Sequence, residues 1–504
     1  MGLISFISKG ISGRAARKIS EWSKNPVATQ ETVFRKLVHE ARDTSFGTDH
    51  RFRYINSYEE FKQHVPIRDY EDFAPYIERL KAGEPDVLWK GRPLYLSKTS
   101  GTTSGIKYIP ISRESIPYHI SSTRNALLNY IHETGKSDFL NGKLMFISGS
   151  PALENMNGIK VGRLSGIVNH HVPGYLKLNQ LPGFRTNCIE DWEEKIDAII
   201  RETKNQNMTF ISGIPPWVQM YFDRLMEKTG KKIGELFPNF NLFVYGGVNY
   251  EPYREKLENS IGRKIDSVEL YPTSEGFIAF QNSQKDKSLL LLLDAGIFYE
   301  FIPASEFFNP NPSRVNIQDV ELGVNYVIIL NTNAGLWGYN LGDTVRFVSK
   351  NPYKLLITGR IKHFISAFGE HVIGEEVERA VMEAALEQKV EIVEFTVAPM
   401  VSPDGELPYH EWFIEFHRAP ANIDQFSRAI DESLQRQNIY YRDLISGNIL
   451  QPLKLRLLEK NSFIEMMRTE GKLGGQNKVP RLSNDRKIAD RLKRFVRESL
   501  NERN

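Results

Sequence analysis

The sequence predicts an α/β protein, a strand-and-helix domain followed by a smaller α+β unit, on three observations. Short apolar runs expected as strands (Leu94–Leu96, Lys143–Ser148, Phe210–Ser212, Leu242–Tyr245, Ser267–Leu270) are separated by helically spaced stretches such as Trp192–Thr203 and Trp217–Thr229. That alternation builds a mainly parallel sheet. From Asp319 to Leu330 and from Asp343 to Ser349 strand follows strand, which favours antiparallel pairing. After Gly359 the pattern mixes again, with helices predicted at Glu375–Gln388 and Ile423–Gln437 and strands at Val393–Ala398, His410–Phe416 and Lys454–Leu458. This last part is a unit of about 140 residues, an ordinary domain size.

Composition sets the outer bounds. A chain of 504 residues is too long for one compact core, so two or more domains are expected. Hydrophobic residues at 40% and charged residues at 25% are ordinary globular values. The net charge is +3, with Lys and Arg interspersed among Asp and Glu, which gives no case for a nucleic-acid partner. The single cysteine, Cys188, excludes an intramolecular disulfide and any multi-cysteine metal site and fits a reducing, cytoplasmic location. No apolar run reaches the roughly 18 residues of a membrane span. The densest, Leu289–Leu293, ends at Asp294 and reads as a buried strand. Met1–Lys18 is basic and acid-free, but Lys9 and Arg14 interrupt its apolar part, no small-residue cleavage site follows, and Phe6 stands where myristoylation needs Ser or Thr. An amphipathic first helix is expected instead. Residues 11–45, Tyr58–His64 and Tyr70–Lys81 also show helical spacing, punctuated by Pro66 and Pro75.

The sharpest feature is Ser97-Lys-Thr-Ser-Gly-Thr-Thr-Ser-Gly-Ile-Lys107, entered from a predicted strand. Backbone N–H groups and hydroxyls packed this densely form a flexible cradle for phosphate oxygens, and Lys107 adds a point charge. A solvated Ser/Thr loop is the plainer alternative. The P-loop of kinases and GTPases is disfavoured, because Gly105 is followed by Ile106 and not by Lys-Ser/Thr. Phe243-Val-Tyr-Gly-Gly-Val-Asn249 runs a strand into Gly246 and Gly247, where a flat ring or a phosphate could approach the backbone, or the chain could simply turn. Glu269-Leu-Tyr-Pro-Thr-Ser-Glu-Gly276 sets the hydroxyls of Tyr271, Thr273 and Ser274 beside Glu275. Such a set could bind a nucleotide and Mg²⁺, or cap a helix. Tyr339-Asn-Leu-Gly-Asp343 precedes a predicted strand, Thr344–Val348, so Asp343 could accept ribose hydroxyls or serve a routine turn. Ile357-Thr-Gly-Arg360, Lys362 and Ser366-Ala-Phe-Gly-Glu370 follow, and for Arg360 and Lys362 surface salt bridges are the alternative.

Each signal is weak alone, but all occur in this order between Ser97 and Arg360. Together they resemble the superfamily of acyl-CoA synthetases, peptide-synthetase adenylation domains and luciferases. Within it the chain is similar to the Gretchen Hagen (auxin-responsive promoter) family of acyl-acid amido synthetases. The features specific to that branch are Thr99-Ser-Gly-Thr-Thr-Ser-Gly105, the motif Glu269–Gly276 and Gly474-Gly-Gln-Asn-Lys-Val-Pro-Arg481.

The resemblance spans the whole chain and implies a large multi-sheet adenylation domain, residues 1–360, with a mobile C-terminal domain, residues 361–504. It implies ATP and Mg²⁺ as cofactors. A small carboxylic acid would become an acyl adenylate with release of pyrophosphate, and an amine, plausibly an amino acid, would then take the acyl group. By the same resemblance Thr99, Ser100, Gly101, Thr102 and Thr103 wrap the ATP phosphates, with Lys107 beside them. Gly246 and Gly247 lie against adenine, Tyr271, Thr273 and Ser274 close the nucleotide pocket, Glu275 holds Mg²⁺, and Asp343 holds the ribose. Arg360 and Lys362 sit at the hinge, and Lys478 enters the site during adenylation. Two departures stand out: Asn340 replaces the Arg of many relatives, and Lys362 occupies the place of the hinge Asp of acyl-CoA synthetases.

The acyl pocket is expected between the phosphate tract and the Gly-Gly strand, with Arg163, His170, His171, Ile214 and Trp217 as candidates. The pair His170-His171 suggests a metal, but no third ligand accompanies it. The rival readings are an acyl-CoA ligase with a thiol acceptor and a non-catalytic acyl- or nucleotide-binding relative. Retention of Lys107, Glu275, Asp343 and Lys478 argues against the second.

Overall fold

In the computed structural model, residues 3–497 are described, apart from 103–104, 190, 248–249, 308, 362–363, 366, 371, 470–478 and 480. The fold is a mixed α/β one with a large multi-sheet N-terminal part and a smaller C-terminal one. The chain divides into two compact units. The first comprises Met1–Thr99, Ile106–Glu190 and Glu194–Ile361; the second is Lys362–Asn504 with two short segments, Ser100–Gly105 and Asp191–Glu193.

Among the described residues the first unit is organised on a sheet of twelve strands. One half, Asp266–Pro272, Leu242–Gly246, Met208–Gly213, Lys143–Ile147 and Gln180–Leu181, is parallel throughout. Its strands are apolar without alternation because helices cover both faces of such sheets; Leu242, Phe243 and Val244 are 0%, 0% and 1% exposed. The helices Trp192–Thr203, Pro215–Thr229 and Glu251–Ile261 lie between these strands in the chain, as the alternation predicts. The other half is antiparallel, in the order Phe277–Gln281, Leu289–Leu291, Tyr353–Arg360, Tyr339–Lys350, Asn325–Thr332, Ile297–Pro303 and Val315–Asn316. A four-stranded sheet carries Tyr95–Thr102 beside Gly105–Ile111.

Five readings of the sequence need correction. The tract Ser97–Lys107 is extended strand up to Thr102 and again from Gly105. Ser97 is paired in register with Gly162, and β-branched Thr99, Thr102 and Ile106 favour that conformation. Tyr339–Asp343 lies inside a strand and does not precede one: the strand is Tyr339–Lys350, with Asp343 opposite Arg360. It accommodates the motif through a register shift opposite Val327–Ile329 and Gly342 at φ +86°, the conformation a glycine bulge supplies. Residues Thr273–Gly276 form the turn between Asp266–Pro272 and Phe277–Gln281, not the start of a helix. Pro75 lies within the helix Tyr70–Lys81 and does not end it. Burial of Phe73, Ile77 and Leu80 at 0%, 1% and 2% exposure offsets the missing hydrogen bond. The expected N-terminal helical stretch is two helices, Leu3–Lys24 and Pro26–Ala41, the second starting on a proline whose absent N–H costs nothing there.

In the second unit the helices Gly374–Gln388 and Ile423–Gln437 accompany a three-stranded sheet of Glu391–Met400, Tyr409–Arg418 and Lys454–Leu457. Trp412, Phe413 and Ile414 are fully buried there.

One buried polar chain in the first unit fixes the approach to Tyr339. Arg314 Nε and Nη2 donate to the two oxygens of Glu300 at 2.6 and 2.7 Å. Asn331 Nδ2 donates to Glu300 at 2.8 Å, and Asn331 Oδ1 accepts from the Gly338 N–H at 2.7 Å. The Glu300 side chain is 0% exposed and that of Arg314 10%, so removing the guanidinium would strand a buried carboxylate. Arg314→Ala is expected to lower the unfolding free energy by about 3–5 kcal/mol, measured by urea denaturation. A change within error would place the pair in solvent.

Candidate functional site

Parallel strands of an open α/β sheet present their carboxyl ends to ligands, and here those ends carry the motifs. Lys143–Ile147 leads into Ser148–Gly149, Met208–Gly213 into Ile214, Leu242–Gly246 into Gly247, and Asp266–Pro272 into the turn Thr273–Gly276. Gly246 is required by its neighbour, since a Cβ there would come 2.4 Å from the carbonyl oxygen of Leu270. Gly247 is at φ +84°, which an L side chain rarely tolerates.

Motifs far apart in sequence meet at this edge. Tyr271 Oη donates to Asp343 Oδ2 at 2.5 Å, with both residues 6% exposed. Tyr339 Oη donates to Glu275 Oε1 at 3.4 Å. Burial, and then the charge of Glu275, raises the Tyr339 hydroxyl well above its usual range, so it stays protonated as the donor. Ser97 Oγ and Ser274 Oγ share a hydrogen bond of 3.0 Å. The Thr273 hydroxyl is used within its own turn, donating to the carbonyl of Gly276 at 3.0 Å and accepting from its N–H at 3.2 Å.

The donor set suits a nucleotide. A carboxylate has about four lone-pair positions, so Asp343 can hold Tyr271 and accept ribose hydroxyls as well. Among the described residues no group of three or more His, Cys, Asp or Glu is arranged to hold a metal ion. The half-buried Glu275 beside Ser274 fits the other mode, Mg²⁺ bound by one or two carboxylates together with phosphate oxygens.

The two lysines of the Ser97–Lys107 tract have distinct surroundings. Lys98 Nζ lies 2.6–2.7 Å from the carboxylate of Glu154. Lys107 Nζ lies 5.5 Å from the centroid of the Tyr70 ring. Thr99 is half-buried. Ser100, Gly101, Thr102 and Arg360 are described by backbone alone, and Thr103, Lys362 and Lys478 lie outside the described residues.

The acyl-pocket candidates divide. Arg163 packs under the turn after Lys143–Ile147, where a Cβ on Gly149 would come 3.1 Å from its Cδ. Ile214 follows Gly213, the register partner of Ile147, and Trp217 is in the first turn of the helix Pro215–Thr229. These three belong to one edge. His170 and His171 serve different partners: His170 Nε2 meets the carbonyl oxygen of Pro151 at 2.7 Å, and His171 Nε2 meets Tyr95 Oη at 2.9 Å. Sequence reasoning missed Lys195, which is 2% exposed. It donates to the carbonyls of Ser148 at 3.0 Å and Asn187 at 2.8 Å, so it fixes the same turn. Burial, with the Arg163 charge adding, pushes its amine down to about 8. A lysine in an amphipathic helix gives no sequence signal for this.

Family models match three stretches of the chain: the GH3 family N-terminal domain over residues 15–182, the central domain over 290–360 and the C-terminal domain over 375–487. The jasmonoyl–L-amino acid synthetase JAR4 of Nicotiana attenuata is 24% identical over 519 residues, covering 88% of either chain. The indole-3-acetic acid-amido synthetase GH3.3 of Arabidopsis thaliana is 21% identical over 556 residues, covering 93% of this chain and 91% of its own. Among solved structures, a GH3.15 acyl acid amido synthetase aligns with a TM-score of 0.61 at 17% identity over 97% of both chains. A 2-hydroxyisobutyryl-CoA ligase aligns at 0.56 and 13% identity, over 94% of this chain and 92% of that one. These two likenesses establish the fold.

The Tyr271–Asp343 contact generates a graded expectation. Asp343→Ala should weaken binding of ATP with Mg²⁺ by about 2–4 kcal/mol, the range for a buried charged hydrogen-bonding group. Tyr271→Phe, which leaves the carboxylate but removes one donor, should cost about 0.5–1.5 kcal/mol. Calorimetric titration of both variants checks the order; unchanged affinity in Asp343→Ala would remove the nucleotide from this site.

Proposed function

The chain belongs to the GH3 family, and from that premise we propose that it is an ATP-dependent acyl-acid amido synthetase. It activates a carboxylic acid as the acyl adenylate and passes the acyl group to an amine, the amino group of an amino acid. One observation carries this: the motif residues Ser97, Tyr271, Ser274, Glu275, Tyr339 and Asp343, dispersed along the chain, share hydrogen bonds at one strand edge.

A carboxylate is a poor acyl donor, and AMP is a good leaving group. Attack of the acid on the α-phosphorus of ATP, with loss of pyrophosphate, makes the acyl carbon open to an amine. The protein's part is positioning and charge neutralisation. Asp343, oriented by Tyr271, accepts the ribose hydroxyls. Gly246 and Gly247 give the adenine ring close access to backbone. Thr99, Ser100, Gly101, Thr102 and Thr103 line the phosphates, with Lys107 as their counter-charge, and Thr273 and Ser274 shape the turn beside them. Glu275 would hold Mg²⁺ together with the phosphates, and the ion would supply Lewis-acid stabilisation of their charge there. Lys478, which follows Gly471, Gly474 and Gly475 in the sequence, bridges the acid's carboxylate and the α-phosphate and offsets their repulsion. Arg163, Ile214 and Trp217 bound the acid, with His170 and His171 beyond them. Residues 1–360 form the adenylation domain and 361–504 a mobile domain pivoting at Arg360 and Lys362. The single cysteine supports a cytoplasmic location.

With ATP, Mg²⁺, a panel of carboxylic acids and the twenty amino acids, the enzyme should release AMP and pyrophosphate and never ADP. Mass spectrometry should find an acid–amino acid amide for at least one pair. ADP as the stoichiometric product would overturn the proposal, and thioester from coenzyme A with no amide would make the chain an acyl-CoA ligase.

A further inference from the structure

We propose that Tyr70 is a positioning residue for Lys107, and that the segment Arg68–Asp69–Tyr70 ties the strand carrying Lys107 to the strand carrying Tyr339 and Asp343. The role rests on the reading of this edge as an ATP site.

Tyr70 opens the helix Tyr70–Lys81 and is 8% exposed. Its hydroxyl accepts from the backbone N–H of Tyr108 at 2.8 Å, fixing the residue next to Lys107. Its ring lies 5.5 Å from Lys107 Nζ. One side chain therefore holds both the backbone beside this lysine and the position of its ammonium. A lysine on four rotatable bonds is poorly defined without such a restraint. An aromatic face restrains an ammonium through its quadrupole. Burial pushes the Tyr70 phenol up to about 12, so the ring beside Lys107 is neutral.

The same turn grips the opposite wall. The Arg68 N–H donates to the Gly338 carbonyl at 2.9 Å, and the Asn340 N–H donates to the Arg68 carbonyl at 2.8 Å. Asn340 Nδ2 donates to Asp69 Oδ1 at 2.7 Å. The Asp69 N–H is itself held by Asp72 at 2.9 Å, and Arg68 Nη2 lies 2.8 Å from His50 Nε2. Asp69 and Tyr70 both act electrostatically on the Tyr339 hydroxyl, the donor to Glu275, which sets the helix start beside the reacting edge. Asn340, the departure noted in the sequence, is thus the residue through which Asp69 holds the Asp343 strand.

The test is a double-mutant cycle on the full chain: wild type, Tyr70→Leu, Lys107→Met and the pair. Two readouts are taken, the affinity for ATP with Mg²⁺ and acid-dependent pyrophosphate exchange. Tyr70→Leu should weaken ATP binding about threefold and slow exchange about tenfold, a cation–π restraint's worth, and both losses should shrink below about twofold in the Lys107→Met background. Tyr70→Phe should restore exchange to within about threefold of wild type, since it keeps the ring. Equal losses in both backgrounds, or no loss with Lys107 present, would overturn the proposal, because a merely structural tyrosine does not depend on Lys107. Should Tyr70→Leu fail to fold, Tyr70→Phe reads the same coupling: a two- to threefold loss that vanishes in Lys107→Met supports the proposal, and one that persists overturns it. If wild type binds ATP without acid-dependent exchange, the functional reading falls while the affinity cycle still decides on Tyr70. If it binds no ATP, both fall.

Discussion

The hydrogen bond from Tyr271 to Asp343 is the constraint on which the site depends. Tyr271 is on the strand Asp266–Pro272 and Asp343 on Tyr339–Lys350, four places apart in the order of the sheet. On a flat sheet that separation is about 19 Å, beyond the combined reach of the two side chains. The 2.5 Å contact therefore requires the antiparallel half to curl back over the parallel half. Strand twist supplies part of that curl, and the register shifts on Tyr339–Lys350, with Gly342 at φ +86°, supply local bends. The curl brings a carboxylate from the antiparallel half to the carboxyl ends of the parallel strands, where the glycine and hydroxyl motifs already lie.

Such a contact is useful only if its strands cannot slide. Two polar networks prevent that: Arg314–Glu300–Asn331 onto the Gly338 N–H, and Arg68–Asp69 onto Gly338 and Asn340. Both act on the residues just before Asp343; the first is buried at Glu300 and Asn331, and the second is half-buried at Arg68 and Asp69. In that setting an unmatched partner costs more than a matched one contributes. The fold thus places polar requirements of this kind next to the edge that carries the motifs and leaves exposed pairs such as Arg35–Glu31 to contribute little.

Much of this was legible in the sequence. The parallel strands appear as unbroken apolar runs, Leu242–Val244 among them, because both faces are covered. Helices such as Ile423–Gln437 and Trp192–Thr203 show in their periodicity, and the motif order shows the family. What stayed hidden depends on partners distant in the chain. Tyr339–Asp343 reads as a turn because Asn, Gly and Asp are turn formers; its strand character comes from Arg68 and from pairing with Asn325–Thr332. Ser97–Thr102 reads as a loop by composition and is extended, continuing the strand that Tyr95–Ser97 forms by pairing with Lys160–Gly162. Asn340 and Asp69 are 271 residues apart, and nothing local at Tyr70 signals a role beside Lys107.

Whether Asp343 and Tyr271 together form the ribose end of a nucleotide site is decided by a crystal structure with a non-hydrolysable ATP analogue and Mg²⁺. The ribose hydroxyls should lie within hydrogen-bond distance of the Asp343 carboxylate, with Tyr271 Oη still on that carboxylate and the adenine over Gly246 and Gly247. A nucleotide bound elsewhere on the chain, with the Tyr271–Asp343 pair untouched, would contradict it.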